Sequence, residues 1–127
     1  MLPDGIGAPV ISSAGRIHST NDPLSGQAGM KFSNDGTRLA TAVIEGEDDF
    51  AEIFSFDQLT GEVTELEYSI DLNEGGPAVN DEVYDVHFSN GGNKLFATMN
   101  NRNTGSAGGR ILEYRIDTFS TEATRQA

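Results

Sequence analysis

The sequence contains no cysteine and no tryptophan, and basic residues are scarce. The lack of cysteine excludes a disulfide framework, a thiolate metal site and a cysteine nucleophile. Apolar runs stay well below the ~18 consecutive apolar residues that a membrane-spanning helix needs, so no membrane span is predicted. The chain has 8 Lys and Arg against 20 Asp and Glu, which gives a net charge of −12. Because phosphate binding requires a basic patch, this balance argues against nucleic acid as a partner.

The chain has 127 residues, the usual size of one domain. Residues 1–7 contain neither a basic nor an apolar region, so no secretory signal is predicted there. A position inside a longer secreted protein stays open. We interpret the acid excess as a solvated surface that keeps the protein soluble, with a saline habitat or cation binding as alternatives.

Two parts of the chain repeat each other. Residues 29–41 read GMKFSNDGTRLAT and residues 85–97 read DVHFSNGGNKLFA, so that Phe32 matches Phe88 at an offset of 56. Further on, IFSFD at 53–57 lies over EYRID at 113–117, at an offset of 60. The change in offset indicates a length difference between two loops, which are predicted at residues 45–50 and 100–109.

Each repeat alternates short apolar runs, rich in β-branched and aromatic residues, with turn residues. This pattern predicts β-strands, and no window has the sustained 3.6-residue period of a long helix. Ser-Asn-Asp-Gly and Ser-Asn-Gly-Gly are typical of tight hairpins, as is the later Gln-Leu-Thr-Gly. Strands are predicted at residues 6–12, 28–33, 38–44, 51–57, 62–68, 83–88, 94–99, 110–116 and 121–125.

Four antiparallel strands in a repeat of roughly 40 to 60 residues are typical of a β-propeller blade. We therefore predict an all-β fold of two full four-stranded blades plus an outer strand of a preceding blade, in an incomplete ring. The outer strand and its connecting loop occupy residues 1–27, one blade with its crossover 28–82, and the other blade 83–127. A blade buries its faces only against neighbours, so two blades leave two apolar faces. The predicted partners are the remaining blades of a longer chain or copies of this one.

The run MKFSNDGTRLATAV…AEIFSFDQLTGEVTEL, followed by VYDVHFSNGGNKLFATM…ILEYRID, resembles the β-propeller repeats of secreted, Bacteroidetes-type surface proteins. IGAPVISSAGRIHS resembles the segment that precedes the blades in that family. The repeats are also loosely similar to YVTN and WD40-like propellers, through FSNDGTRLA. The resemblance covers most of residues 6–118. It implies an extracellular or cell-surface protein, associated with type IX secretion and adhesion.

The two histidines, His18 and His87, are interpreted as structural. His87 alternates with Val86 and Phe88, which predicts that its side chain points to the opposite face of the strand. No His-Glu-x-x-His or other zinc motif is present. No catalytic residue and no organic cofactor is therefore predicted.

The densest acidic run is Glu-Gly-Glu-Asp-Asp at residues 45–49. Calcium prefers several carboxylate and carbonyl oxygens, so Glu47, Asp48 and Asp49 are the candidate ligands for a calcium ion. The run lacks the spacing of an EF-hand loop, and the alternative is a solvated hairpin tip.

Two functions remain open from the sequence. The first is a non-catalytic propeller module that binds protein or glycan, or serves as an assembly scaffold. The alternative is a fragment of a lactonase-like hydrolytic propeller enzyme. That enzyme needs acidic or histidine side chains converging from several inner strands, and the strands here offer only Asp85, His87 and Lys31. Phe32 and Phe88 are both predicted to lie in the core.

Overall fold

The computed structural model describes residues 5–16, 29–45, 48–73, 81–101, 109–116 and 124–126. Eight strands and no helix occur in these residues, in two open four-stranded antiparallel sheets. The first sheet has the order β1-β2-β3-β4 and the second β5-β6-β7-β8, so every strand pairs with its neighbour in sequence. The strands are β1 Met30–Phe32, β2 Arg38–Glu45, β3 Asp48–Asp57, β4 Glu62–Asp71, β5 Asp81–Phe88, β6 Lys94–Asn101, β7 Arg110–Arg115 and β8 Thr124–Gln126.

The predicted all-β class and both groups of four strands are confirmed. The leading strand expected at residues 6–12 is wrong, because this part of the chain forms no strand beyond an isolated bridge at Gly5. The loop expected at residues 45–50 is also shorter than predicted, since β2 continues to Glu45 and β3 begins at Asp48. In the described part of the chain, no helix has the length and apolar character needed to cross a bilayer.

The repeated hairpins have the same hydrogen bonds. In each turn the first serine N–H donates to the carbonyl five residues later, and the glycine N–H donates back to the serine carbonyl, all at 2.9 Å. Gly36 and Gly92 have φ of 71° and 72°, which only glycine adopts at little cost. The internal repeat is therefore also a repeat of backbone geometry. The donor–acceptor pairs are Ser33–Arg38 and Gly36–Ser33 in the first turn, and Ser89–Lys94 and Gly92–Ser89 in the second.

The left-handed conformation at Gly92 predicts a measurable cost for a side chain. No atom lies within 4 Å of an added Cβ, so Gly92→Ala tests backbone conformation alone. We expect a loss of about 1 kcal/mol in the free energy of unfolding, measured by urea denaturation. Gly91→Ala is the matched control, because Gly91 has no positive φ and should be neutral or slightly stabilising. Equal losses at both positions would contradict this account of the turn.

The two sheets share one hydrophobic core. Small residues of the first sheet, among them Ala40, Ala42 and Ala51, face larger residues of the second. Because side chains alternate along a strand, this defines a shared face on each sheet and leaves an outer face on the other side. The cluster comprises Ala40, Ala42, Ile44, Ala51, Ile53, Tyr68, Ile70 and Leu72 from the first sheet and its end, and Val83, Val86, Phe88, Leu95, Ala97, Met99, Leu112, Tyr114 and Ile116 from the second.

Repeat-equivalent residues lie on different faces in the two sheets, in the shared core in the second sheet and on the outer face in the first. In the second sheet, Phe88, Leu95 and Tyr114 pair in a row across β5, β6 and β7, and the first sheet buries all three. In the first sheet, the equivalent row lies on the outer face and runs across all four strands, through Phe32, Leu39, Phe54 and Leu66. Phe88 is 9% exposed and Phe32 is 54% exposed. The prediction that Phe32 lies in the core is therefore wrong.

Candidate functional site

The outer face of the first sheet carries a segment from the start of the chain. We call residues 10–16 the arm. The side chain of Val10 lies beside Gly61, and the Ser12 hydroxyl accepts a hydrogen bond from the Val63 N–H at 2.9 Å. Gly15 lies so close to Phe54 that an added Cβ would come within 2.6 Å of its ring. The arm therefore crosses β4 and β3 on the outer face of the first sheet. The equivalent face of the second sheet is covered by the first sheet instead.

Arg16, the last residue of the arm, binds a buried carboxylate. The Arg16 N–H donates to Glu52 Oε2 at 3.0 Å, and its guanidinium Nε lies 3.5 Å from Glu52 Oε1. The guanidinium carbon also stacks 3.6 Å from the centre of the Phe50 ring. The Glu52 side chain is only 3% exposed, so a positively charged partner offsets much of the cost of burying it. The site thus receives an arginine at a buried carboxylate that lies between Phe50 and Phe54 on β3.

The sequence analysis missed this site, although a signal was present. Glu52 lies between Ala51 and Ile53 in a strand rich in apolar residues. A carboxylate is almost never fully buried without a partner, so its place in such a strand predicts a cation nearby. Its partner lies 36 residues earlier and carries no motif, so Arg16 could not have been identified from sequence.

Asp49, one of the candidate calcium ligands, joins the two sheets. Its carboxylate Oδ2 accepts a hydrogen bond from the Val83 N–H at 3.2 Å, and the residue is 2% exposed. Lys31 and Asp85 add an ion pair across the same joint, with 3.7 Å between Nζ and Oδ2. The interpretation of residues 45–49 as a solvated hairpin tip is therefore wrong at Asp49.

The other two candidate calcium ligands, Asp48 and Glu47, are not placed in a buried site by the described structure. Asp48 is exposed and its Oδ1 accepts a 3.4 Å hydrogen bond from Asn73, whereas Glu47 lies outside the described residues. Within the described ranges, no group of three or more His, Cys, Asp and Glu side chains could hold a metal ion. Calcium binding stays a prediction.

Of the two histidines, His18 lies outside the described residues. His87 is exposed, while Val86 and Phe88 on either side of it are buried. The prediction that it points to the opposite face of β5 is confirmed. Of the three inner-strand residues considered for hydrolysis, Lys31 and Asp85 are paired with each other.

An open groove lies on the second sheet, lined by Tyr84, Thr98, Met99 and Asn100. The register of β5 against β6 shifts between Val83 and Asp85, which leaves Tyr84 as an extra residue in its strand. The Tyr84 side chain is 69% exposed. An aromatic ring beside a hydroxyl and an amide offers both stacking and hydrogen bonds to a polar ligand.

The first repeated turn contains a carboxylate with a strongly lowered pKa. Asp35 Oδ1 accepts hydrogen bonds from the Ser33 hydroxyl at 2.7 Å, the Thr37 N–H at 3.0 Å and the Thr37 hydroxyl at 2.8 Å. These bonds, the one from Ser33 most of all, lower the pKa of Asp35 from 3.8 to about 2.

The lowered pKa of Asp35 predicts a pH dependence of stability. Because the folded pKa of about 2 lies below the reference value of 3.8, the ionised carboxylate contributes fully above that reference and its contribution is lost as the pH falls toward 2. Asp35→Asn removes the ionisation, so the variant should lose less stability than the native chain over this interval. Urea denaturation at several acidic pH values measures the difference. Parallel pH profiles for the two chains would contradict the assignment.

No family model, no curated protein and no solved structure matches this chain.

Proposed function

We propose that the chain is a pair of β-propeller blades that acts as a non-catalytic scaffold, through assembly and through binding of protein or glycan. The observation that carries the proposal is the contrast between the two equivalent rows. A like sheet buries Phe88, Leu95 and Tyr114. In the row of the first sheet, Leu39 and Phe54 in the middle are buried, but Phe32 and Leu66 at the two ends are exposed. A surface of this kind favours association with further sheets.

The connection between the sheets also supports propeller blades. The strand order β1-β2-β3-β4 is repeated as β5-β6-β7-β8, and β5 packs beside β1 and β2. The chain therefore passes from the last strand of one meander to the first strand of the next, as in consecutive blades. The resemblance to secreted surface propellers leads us to propose an extracellular or cell-surface location, with type IX secretion as the associated route. The groove at Tyr84 is the surface we assign to a protein or glycan ligand.

The experiment that tests the proposal combines sedimentation velocity with an activity assay. We expect concentration-dependent association and no hydrolysis of a panel of lactones, with or without added calcium or zinc. Phe32→Asp places a charge on the exposed row and should weaken association. Tyr84→Asp, on the second sheet, is the matched control and should leave association unchanged.

The alternative is the lactonase-like hydrolytic fragment. Metal-dependent hydrolysis by a chain that stays monomeric at every concentration would contradict the scaffold function and support this enzymatic one. Association that Tyr84→Asp abolishes and Phe32→Asp leaves intact would place assembly on the second sheet instead.

A further inference from the structure

We infer that the outer face of the first sheet is a binding site for the arm of a second copy of this chain, held by the Arg16–Glu52 pair. The inference rests on the proposed scaffold function, because it names the surface and the segment through which copies associate. The chain's own arm is the resident occupant of this site. Exchange of arms between two copies rebuilds the same contacts in trans, which makes it a low-cost route to association.

The side chains that attach the arm to the sheet are polar, while its two large apolar side chains are largely exposed. Ser12 and Arg16 supply the hydrogen bonds and the ion pair to the sheet. By contrast, Val10 is 53% exposed and Ile11 is 86% exposed. Since hydrophobic free energy scales with the apolar area removed from water, these two side chains contribute little to holding the arm on the sheet.

Exposed apolar side chains surround the arm, and a second copy can bury them. Met30, Phe32 and Leu66 are all exposed and lie on or beside the outer face. An arm arriving from a second copy brings a second molecule against these side chains. The sequence that the structure shows seated on this face is this chain's own, which identifies a second copy as the partner.

Charge favours exchange of this segment in particular. The whole chain has a net charge of −12, so two copies repel each other. Residues 5–16 contain no acidic residue and end in Arg16, so this segment has a local positive charge that Glu52 of an acidic partner attracts. The arm can thus approach a second copy with less electrostatic repulsion than the acidic chain as a whole.

Competition from the resident arm sets the concentration at which exchange occurs. A tethered segment has an effective concentration on the order of millimolar, so a native chain fills its own site at lower protein concentrations. Two complementary variants remove this competition. Arg16→Gln keeps the Glu52 site and weakens the arm, whereas Glu52→Gln keeps the arm and weakens the site.

The experiment is native mass spectrometry of each variant alone and of their equimolar mixture. We expect each variant alone to stay monomeric and the mixture to form a heterodimer, in which the arm of the Glu52→Gln copy occupies the site of the Arg16→Gln copy. Circular dichroism and melting curves show whether both variants keep the native fold.

The outcomes separate this inference from the proposed function. If the native chain associates but the mixture forms no more heterodimer than either variant alone forms homodimer, the arm is not the link and the scaffold function stands. If neither the native chain nor the mixture associates at any concentration, both the arm exchange and the assembly role fall.

A second measurement does not depend on the fold of Glu52→Gln. A fluorescent peptide of residues 7–16 is titrated into the Arg16→Gln chain, and the same peptide with glutamine in place of arginine is the control. We expect the arginine peptide to bind at least about tenfold more tightly, because it alone carries the guanidinium that pairs with the Glu52 carboxylate. Equal affinities of the two peptides would overturn the inference.

Discussion

Phe88→Ala is expected to lower the free energy of unfolding by about 3–5 kcal/mol, the usual cost of removing a buried aromatic ring. Phe88 is 9% exposed and packs in the core between the two sheets. Its truncation leaves a cavity that the surrounding strands cannot fill without shifting. Urea denaturation monitored by circular dichroism measures the loss.

The internal repeat supplies the control for Phe88→Ala. Phe32 occupies the same place in the first repeat but is 54% exposed, and its ring meets Phe56 edge-on with 4.8 Å between centroids. Phe32→Ala should therefore cost less than about 1.5 kcal/mol. Equal losses for the two variants would show that the outer face of the first sheet is as well covered as the shared core.

Asp49→Ala is expected to cost about 2–3 kcal/mol, the second largest effect we predict. The substitution removes the acceptor of the Val83 N–H and leaves that donor buried at the joint between the sheets. Asp49→Asn keeps an acceptor oxygen at this position and should cost clearly less. Thermal melts and urea denaturation of both variants give the comparison.

Asp48 is the matched control for Asp49, because it precedes Asp49 in β3 and is exposed. Asp48→Ala should change stability by no more than about 0.5 kcal/mol. A stability loss at Asp48 equal to that at Asp49 would contradict the account of the joint.

The same variant tests calcium binding: a calcium-dependent rise in Tm that Asp48→Ala abolishes would support the predicted ligands.

The strands and turns were predictable because their signals are local. The apolar alternation in β2 and β6, and the glycines at 36 and 92, depend on side-chain spacing and backbone sterics within a few residues. The predicted strand at 6–12 was wrong for the same reason. Val10 and Ile11 favour a strand locally, but β-structure also needs backbone pairing with a partner strand. In the described structure this segment reaches the edge strand β4 through the Ser12 hydroxyl and forms no strand.

The candidate site was only partly predictable. A carboxylate within the apolar alternation of β3 indicates that Glu52 needs a partner, and Asp49 stands out as part of the densest acidic run. The residues that meet these carboxylates are 34 to 36 positions away in the sequence. Contacts over such separations depend on how the sheets and the arm pack, and no spacing rule encodes them.

The sequence by itself determined that the chain folds as two like meanders of four strands, since alternation and turn chemistry act between near neighbours. Only the tertiary structure decided which faces are covered. Phe32 and Phe88 stand in the same Phe-Ser-Asn motif, yet one is exposed and the other buried. Burial depends on what packs above a residue, and the second sheet has the first as its neighbour, whereas the described outer face of the first sheet has a narrow arm.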